Sequence, residues 1–174
     1  TLCTRKEEQE IQLNSKLAQI VIGVRRSGKS TLCQKVLLQS GVHFAYVNFD
    51  DERLQRVSAE DLDDILQELY AIYGAFTHLF LDEVQNVSGW YLFVNRLLRQ
   101  GVKLILTGSN ANLLSGELST HLTGRYHQIE LMPFSFQEYC SCKDVNTSSY
   151  TTKAIALRDK ALNDYLFAGG FPEL

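Results

Sequence analysis

Residues Gly23-Val-Arg-Arg-Ser-Gly-Lys-Ser-Thr31 follow the pattern Gly-x4-Gly-Lys-Ser/Thr without a mismatch. Such a stretch constrains the fold around it, because it works only as the turn between a strand and a helix. Both flanks are legible. Ala18–Val24 is an apolar run of strand length, and Leu32, Val36 and Leu37 recur at helical spacing towards Gln39, with Gly41 beyond. Gly23 and Gly28 let backbone N–H groups turn inward around a phosphate, and the helix start adds the positive end of its dipole. Lys29 is a point charge for β- and γ-phosphates, and Ser30 offers a hydroxyl to Mg2+. Arg26, Ser27 and Thr31 complete the expected binding loop. Arg25 and Arg26 either shape it, meet an acidic neighbour or stay solvated.

Further apolar runs of strand length occur at Phe44–Phe49, Leu79–Leu81 and Val102–Leu106, and Ile129 and Leu131 alternate with polar residues as a fifth. Amphipathic stretches separate them. In Ser58–Tyr73, residues Leu62, Ile65, Leu66, Leu69, Ile72 and Tyr73 share one face, Ser58 suits an N-cap and Gly74 the residue after the helix. The acidic residues of that stretch read as a solvated face. Ser88–Gln100 has Trp90, Phe93, Val94, Leu97 and Leu98 on one side. Ser135-x-x-Glu138 reads as a capping box, and Ala154, Leu157, Ala161, Leu162 and Tyr165 repeat at helical spacing before Gly169-Gly170. Strands alternating with helices predict an α/β three-layer sandwich: a mainly parallel five-stranded sheet, order 5-1-4-3-2, with helices on both faces. Ligands of such sheets sit at the carboxyl ends of the strands.

The third strand ends in Asp82-Glu83. A magnesium–phosphate reaction needs one carboxylate for the metal's water shell and a second group to position or deprotonate water. Asp82 suits the first task and Glu83 the second, because adjacent residues leave a strand in different directions. The fourth strand runs into Thr107-Gly-Ser-Asn110. In the order 5-1-4-3-2 a polar side chain here lies between strands one and three, within reach of a γ-phosphate or an attacking water. Ser109 is preferred over Asn110, and a helix N-cap is the alternative for either.

The 174 residues suit one domain with a small appendage. The 45% hydrophobic content excludes wholesale disorder, and no apolar run reaches the roughly 18 residues of a membrane span. A net charge of −3 argues against a basic nucleic-acid footprint. The start is polar, without a secretory leader, so a cytoplasmic protein is expected. The single methionine is Met132 and the chain opens at Thr1, which reads as a trimmed start. Cys3, Cys33, Cys140 and Cys142 lack zinc-site spacing, so four reduced thiols and no metal on cysteine are expected.

The phosphate loop, Tyr46-Val-Asn-Phe-Asp50-Asp-Glu-Arg-Leu54, Phe80-Leu-Asp-Glu-Val-Gln85 and Leu106-Thr-Gly-Ser-Asn-Ala111 together resemble the AAA-type ATPases of bacteria and archaea. Thr123-Gly-Arg125, Glu130–Tyr139 and Tyr165–Glu173 extend the likeness to the end of the chain. The branch concerned carries a C-terminal domain of unknown function often likened to restriction endonucleases. The resemblance implies ATP with Mg2+ as cofactors, hydrolysis, and Arg125 as a charge-stabilising arginine acting in cis or on a neighbouring subunit. It also likens Gly-Gly-Phe-Pro to a nucleotide-sensing element. It divides the chain into an ATP-binding core, residues 1–134, and a helical extension, 135–174, that begins a truncated C-terminal region. The catalytic set is then Lys29, Glu83, Ser109 and Arg125, with Ser30 and Asp82 on the metal. Expected partners are ATP or ADP and a second copy or another protein, with nucleic acid only through the missing region and no membrane. Two other readings stand beside an ATPase: a nucleotide-gated switch with little hydrolysis, and a small kinase, for which Arg96, Arg99 and Arg125 are too dispersed to form a lid.

Overall fold

A computed structural model of the chain describes residues 3–54, 56–109, 113 and 115–171. Five strands, β1 (Ala18–Gly23), β2 (Phe44–Asn48), β3 (His78–Asp82), β4 (Lys103–Ser109) and β5 (Tyr126–Leu131), form one parallel sheet in the order β2-β3-β4-β1-β5. This is the expected order, met from its other edge. Among the described residues six α-helices surround it: α1 (Lys29–Ser40), α2 (Leu62–Tyr73), α3 (Trp90–Arg99), α4 (Ser115–Leu122), α5 (Phe136–Cys142) and α6 (Thr152–Ala168).

Alternation along the central strands builds two cores. Ile20, Ile22, Leu79, Leu81, Leu104 and Leu106 face one side, where Leu62, Leu69, Phe93, Val94, Leu97, Leu118 and Leu122 from α2, α3 and α4 cover them. Val21, Phe80, Ile105, Ile129 and Leu131 face the other, against Leu32, Cys33 and Leu37 of α1 and Ile11 of the N-terminal segment. Both faces are covered, which explains why these strands read as unbroken apolar runs.

The Ser135 capping box forms as its sequence predicts. The Ser135 hydroxyl accepts from Glu138 N–H at 3.3 Å, and the Glu138 carboxylate accepts from Ser135 N–H at 2.9 Å. The other boundaries shift. Ser58 caps no helix: its amide and hydroxyl both donate to the Asp61 carboxylate, at 2.8 and 2.7 Å, and α2 starts only at Leu62. Ile72, in the last turn of α2, stays 72% exposed. In α6 only Ala161 is buried, and Leu157 and Leu162 of the expected inner face remain exposed. That helix is tethered through Tyr165, whose hydroxyl donates to Phe134 O at 2.7 Å.

One expectation fails outright. Cys3 and Cys142 form a disulfide, Cα atoms 5.4 Å apart, that ties the N-terminal segment to α5; Cys33 and Cys140 stay free thiols. Sequence spacing could not anticipate this pair, because its members are 139 residues apart and meet only through the fold. Beside it, Arg5 is buried: its guanidinium donates to Met132 O at 2.6 Å, pairs with Glu138 at 3.1 Å and lies over the Phe134 ring.

Candidate nucleotide site

Parallel strands bring their carboxyl ends to one edge, and the sequence motifs meet there. Register sets Gly23 opposite Ser109 and Asn48 opposite Asp82. A polar groove of about 290 Å3 opens on this edge, lined by Arg25, Lys29, Ser30, Asn48, Asp82 and Glu83 among others.

The loop itself shows why its residue types are required. Gly28 takes a left-handed φ of 91° and ends the loop with no side-chain cap, so the first N–H groups of α1 are not claimed by a capping side chain. A Cβ on Gly23 would fall closer than 3.0 Å to the Leu131 carbonyl oxygen, so only glycine lets β1 pass β5 here. The Ser27 hydroxyl is buried without a hydrogen-bond partner among the described residues. Arg26 adopts φ 67°, and Arg25 forms an exposed ion pair with Asp50 at 3.5 Å, the acidic-neighbour option for that residue.

Lys29 is 4% exposed, and its ammonium donates to Gly23 O at 3.3 Å and Val24 O at 3.1 Å. Its nearest carboxylate oxygen, Glu83 Oε1, is 3.6 Å away. Two carbonyls and a distant carboxylate are a thin shell for a buried cation, which suits a group that binds phosphate.

Asp82 is buried and accepts from three hydroxyls: Ser30 Oγ at 2.8 Å, Tyr46 Oη at 3.0 Å and Thr107 Oγ1. Thr107 also accepts the Glu83 backbone N–H at 3.0 Å, so one buried side chain fixes both members of the acidic pair. Burial, reinforced by the charge of Asp82, pushes the Tyr46 phenol above its ordinary value of 10.0 and keeps it a donor. Glu83 takes a left-handed φ of 52°, turning its side chain away from that of Asp82. Its Oε1 faces Lys29 and its Oε2 accepts from Gln85 Nε2 at 2.6 Å.

Ser30 and Asp82 thus supply hard oxygen donors in contact with each other, and no cluster of three His, Cys, Asp or Glu exists among the described residues. This donor set fits Mg2+, which keeps waters and phosphate oxygens in its shell and takes only one or two ligands from protein.

The profile of the AAA domain family matches residues 15–140. The chain belongs to the AAA domain family. A protein of Methanocaldococcus jannaschii, described only as uncharacterized, is 37% identical over 167 residues, covering 95% of this chain and 38% of its own length. A second uncharacterized protein, from Haemophilus influenzae, is 39% identical over 163 residues, covering 89% of this chain and 39% of its own. The chain therefore spans about two-fifths of the curated relatives it matches. The Walker-type ATPase of Pyrococcus abyssi shares the fold at a TM-score of 0.58 and 17% identity, over 98% of this chain and 65% of that one.

Of the residues singled out from sequence, this AAA domain gathers Gly23 and the 26–31 loop, Asp82, Glu83 and Ser109 at one edge. Ser109 ends β4 beside Gly23, and its carbonyl accepts the Leu113 N–H at 2.9 Å. Asn110, its rival, and Pro172 of the sensing block lie outside the described residues. Arg125 is not brought in. It is exposed and precedes β5, next to Ala18 at the amino end of the sheet, with a whole strand between it and the loop. Six residues of strand span roughly 20 Å, which is the length of sheet that separates Arg125 from the loop within this chain.

Tyr46, Thr107 and Gln85 were missed. Thr107 carried a usable signal, being the first polar residue at the carboxyl end of an apolar strand. The other two carried none, since each acquires its role from a partner on the folded edge.

A second cavity, about 180 Å3, continues behind the loop between Thr31, Leu32, Leu131 and Phe134, with Arg5 and Glu8 on its far wall. A third groove, about 540 Å3 between α5 and α6, lies away from these groups and is open to solvent.

Proposed function

We propose that this AAA domain binds Mg2+–ATP at the edge holding Gly23–Thr31 and hydrolyses it. The observation that carries the reading is the convergence of Lys29, the Ser30–Asp82 pair and Glu83 on one groove. Lys29 and the α1 amide groups would hold the β- and γ-phosphates, and the cavity behind Thr31 has apolar walls suited to a base. Adenine follows from the family resemblance alone. Mg2+, held by Ser30 and through water by Asp82, would supply charge neutralisation at the phosphates. Glu83 Oε1 would accept the proton of a water whose oxygen attacks the γ-phosphorus, while the bond from that phosphorus to the ADP oxygen breaks. Ser109, opposite Gly23, is within the sheet position that could sense the γ-phosphate. Arg125 would act on the nucleotide of a neighbouring copy.

Residues 1–134 would form the ATP-binding core, and 135–174 the start of a region that the longer relatives continue. In this reading hydrolysis drives or gates that region, which would be restriction-endonuclease-like and the only part to meet nucleic acid. In this reading the protein works in the cytoplasm, where reductants would favour Cys3 and Cys142 as thiols.

Phosphate release from purified protein tests the reading. Lys29→Ala should abolish nucleotide binding. Glu83→Gln should keep binding and slow release by about 100-fold or more. Undiminished release from Glu83→Gln would refute its assignment, and a rate per molecule that rises with protein concentration would support Arg125 acting in trans.

A further inference from the structure

Gln85 sits two residues beyond the acidic pair, in the short 3-10 turn Val84–Asn86, and does not itself line the groove. Its amide nitrogen donates to Glu83 Oε2 at 2.6 Å, and its carbonyl Oε1 is buried with no partner among the described residues. That carbonyl lies against Gly108 of β4, where a Cβ would come within 2.5 Å of it. The side chain therefore shares with Leu113 a slot that the glycine at 108 leaves open.

The orientation of the amide is informative. Turning it over would point the carbonyl at the Glu83 carboxylate, two acceptors face to face, so the nitrogen must face Glu83 and the oxygen must face the backbone. A buried carbonyl oxygen without a donor costs stability. A methionine of similar length would fill the slot without that cost, so filling space does not account for a glutamine here. What glutamine adds is a donor on the side of Glu83 away from Lys29.

Such a donor matters once phosphate arrives. In the present arrangement Glu83 is held between Lys29 on Oε1 and Gln85 on Oε2. A phosphate taking Lys29 removes the first hold and brings negative charge towards the carboxylate, which pushes it out of the groove. We infer that Gln85 is a positioning residue for Glu83: it retains Oε2 against that repulsion and leaves Oε1 as the atom that meets the attacking water. This rests on the hydrolysis reading above and adds what keeps its base in place.

The test compares wild type, Gln85→Met and Glu83→Gln, singly and combined, in the full chain. Gln85→Met should lower kcat for phosphate release about tenfold or more, leave KM for ATP within about twofold, and leave thermal stability equal or higher. In the Glu83→Gln background the same change should have no further effect on rate, because the group being positioned is gone. A lowered melting temperature in Gln85→Met would mean a structural amide and overturn the proposal, as would an unchanged or raised kcat or a full additional loss in the double variant. A contact measurement separates this from failure of the hydrolysis reading. The 15N-labelled side-chain amide of Gln85, assigned by its absence from Gln85→Met, should shift on Glu83→Gln and keep its bonded position when Mg2+ and a non-hydrolysable ATP analogue are added. Wild type without phosphate release overturns hydrolysis alone; an amide that loses its bonded position on nucleotide binding overturns the positioning role alone.

Discussion

Asp82 accepts three hydroxyl hydrogen bonds and Thr107 joins it to the backbone of Glu83, so the acidic pair is positioned by neutral groups that the apolar strands carry to one edge. Thr107→Val keeps the shape and strips both contacts, leaving Ser30 alone on Asp82 Oδ1 and depriving the Glu83 N–H of its acceptor. The expected loss is about 1–3 kcal/mol of unfolding free energy, read from urea denaturation. Tyr46→Phe removes the hydroxyl that donates to Asp82 Oδ2, while Ser30 and Thr107 both stay on Oδ1, so its cost should also be about 1–3 kcal/mol by the same measurement. These two residues mark the limit of reading a site from its motifs. Lys29, Ser30, Asp82 and Glu83 carry chemistry that dictates residue type, and their pattern is visible; a supporting hydroxyl is one of many serines, threonines and tyrosines until the sheet register selects it.

The elements behave as the alternation of residues requires, and their ends are where local and tertiary demands part. β4 continues to Ser109, because pairing with β1 extends the ladder through Thr107 and Gly108 past the last apolar side chain. α2 begins at Leu62, which is fully buried in the core, and Ser58 is left in the turn ahead. β1 can lie beside β5 only because Gly23 has no side chain, and Gly23→Ala should separate the strands at the loop and cost several kcal/mol, or about 1–3 if Leu131 can yield; thermal unfolding would show it. His78 opens β3 with its ring buried, Nε2 at 3.0 Å from Leu13 O and Nδ1 at 2.8 Å from Thr77 Oγ1. Burial, aided by Lys103, holds its pKa below the ordinary 6.5. The folded state therefore favours the neutral ring. The unfolded chain takes up the proton first as pH falls, so this contribution to stability is intact above 6.5 and is lost on acidification below it. The urea midpoint should fall between neutral and mildly acidic pH, and His78→Gln should flatten that fall.

At the scale of the whole molecule, the groove and the motif residues share the carboxyl edge of the sheet. The N-terminal segment closes over α1 through Lys35, which donates to Cys3 O at 3.0 Å and pairs with Glu8 at 2.7 Å, and the Cys3–Cys142 bond secures it to α5. A link across 139 residues limits the unfolded chain strongly, worth about 2–5 kcal/mol. Reduction, or Cys142→Ser, should lower the melting temperature by several degrees, with thiol counting before and after reduction as the check. The sequence by itself determined the parallel α/β sheet, its strand order, and the loop and carboxylates of the groove, because backbone periodicity and phosphate chemistry both restrict residue type locally. Only the tertiary structure decided that Arg125 stands a strand's length from the loop, that Cys3 meets Cys142, and that Tyr46, Thr107 and Gln85 hold the acidic pair. Those facts depend on which distant residues become neighbours, and neighbours across a sheet are set by register and packing, which leave no mark on residue spacing along the chain.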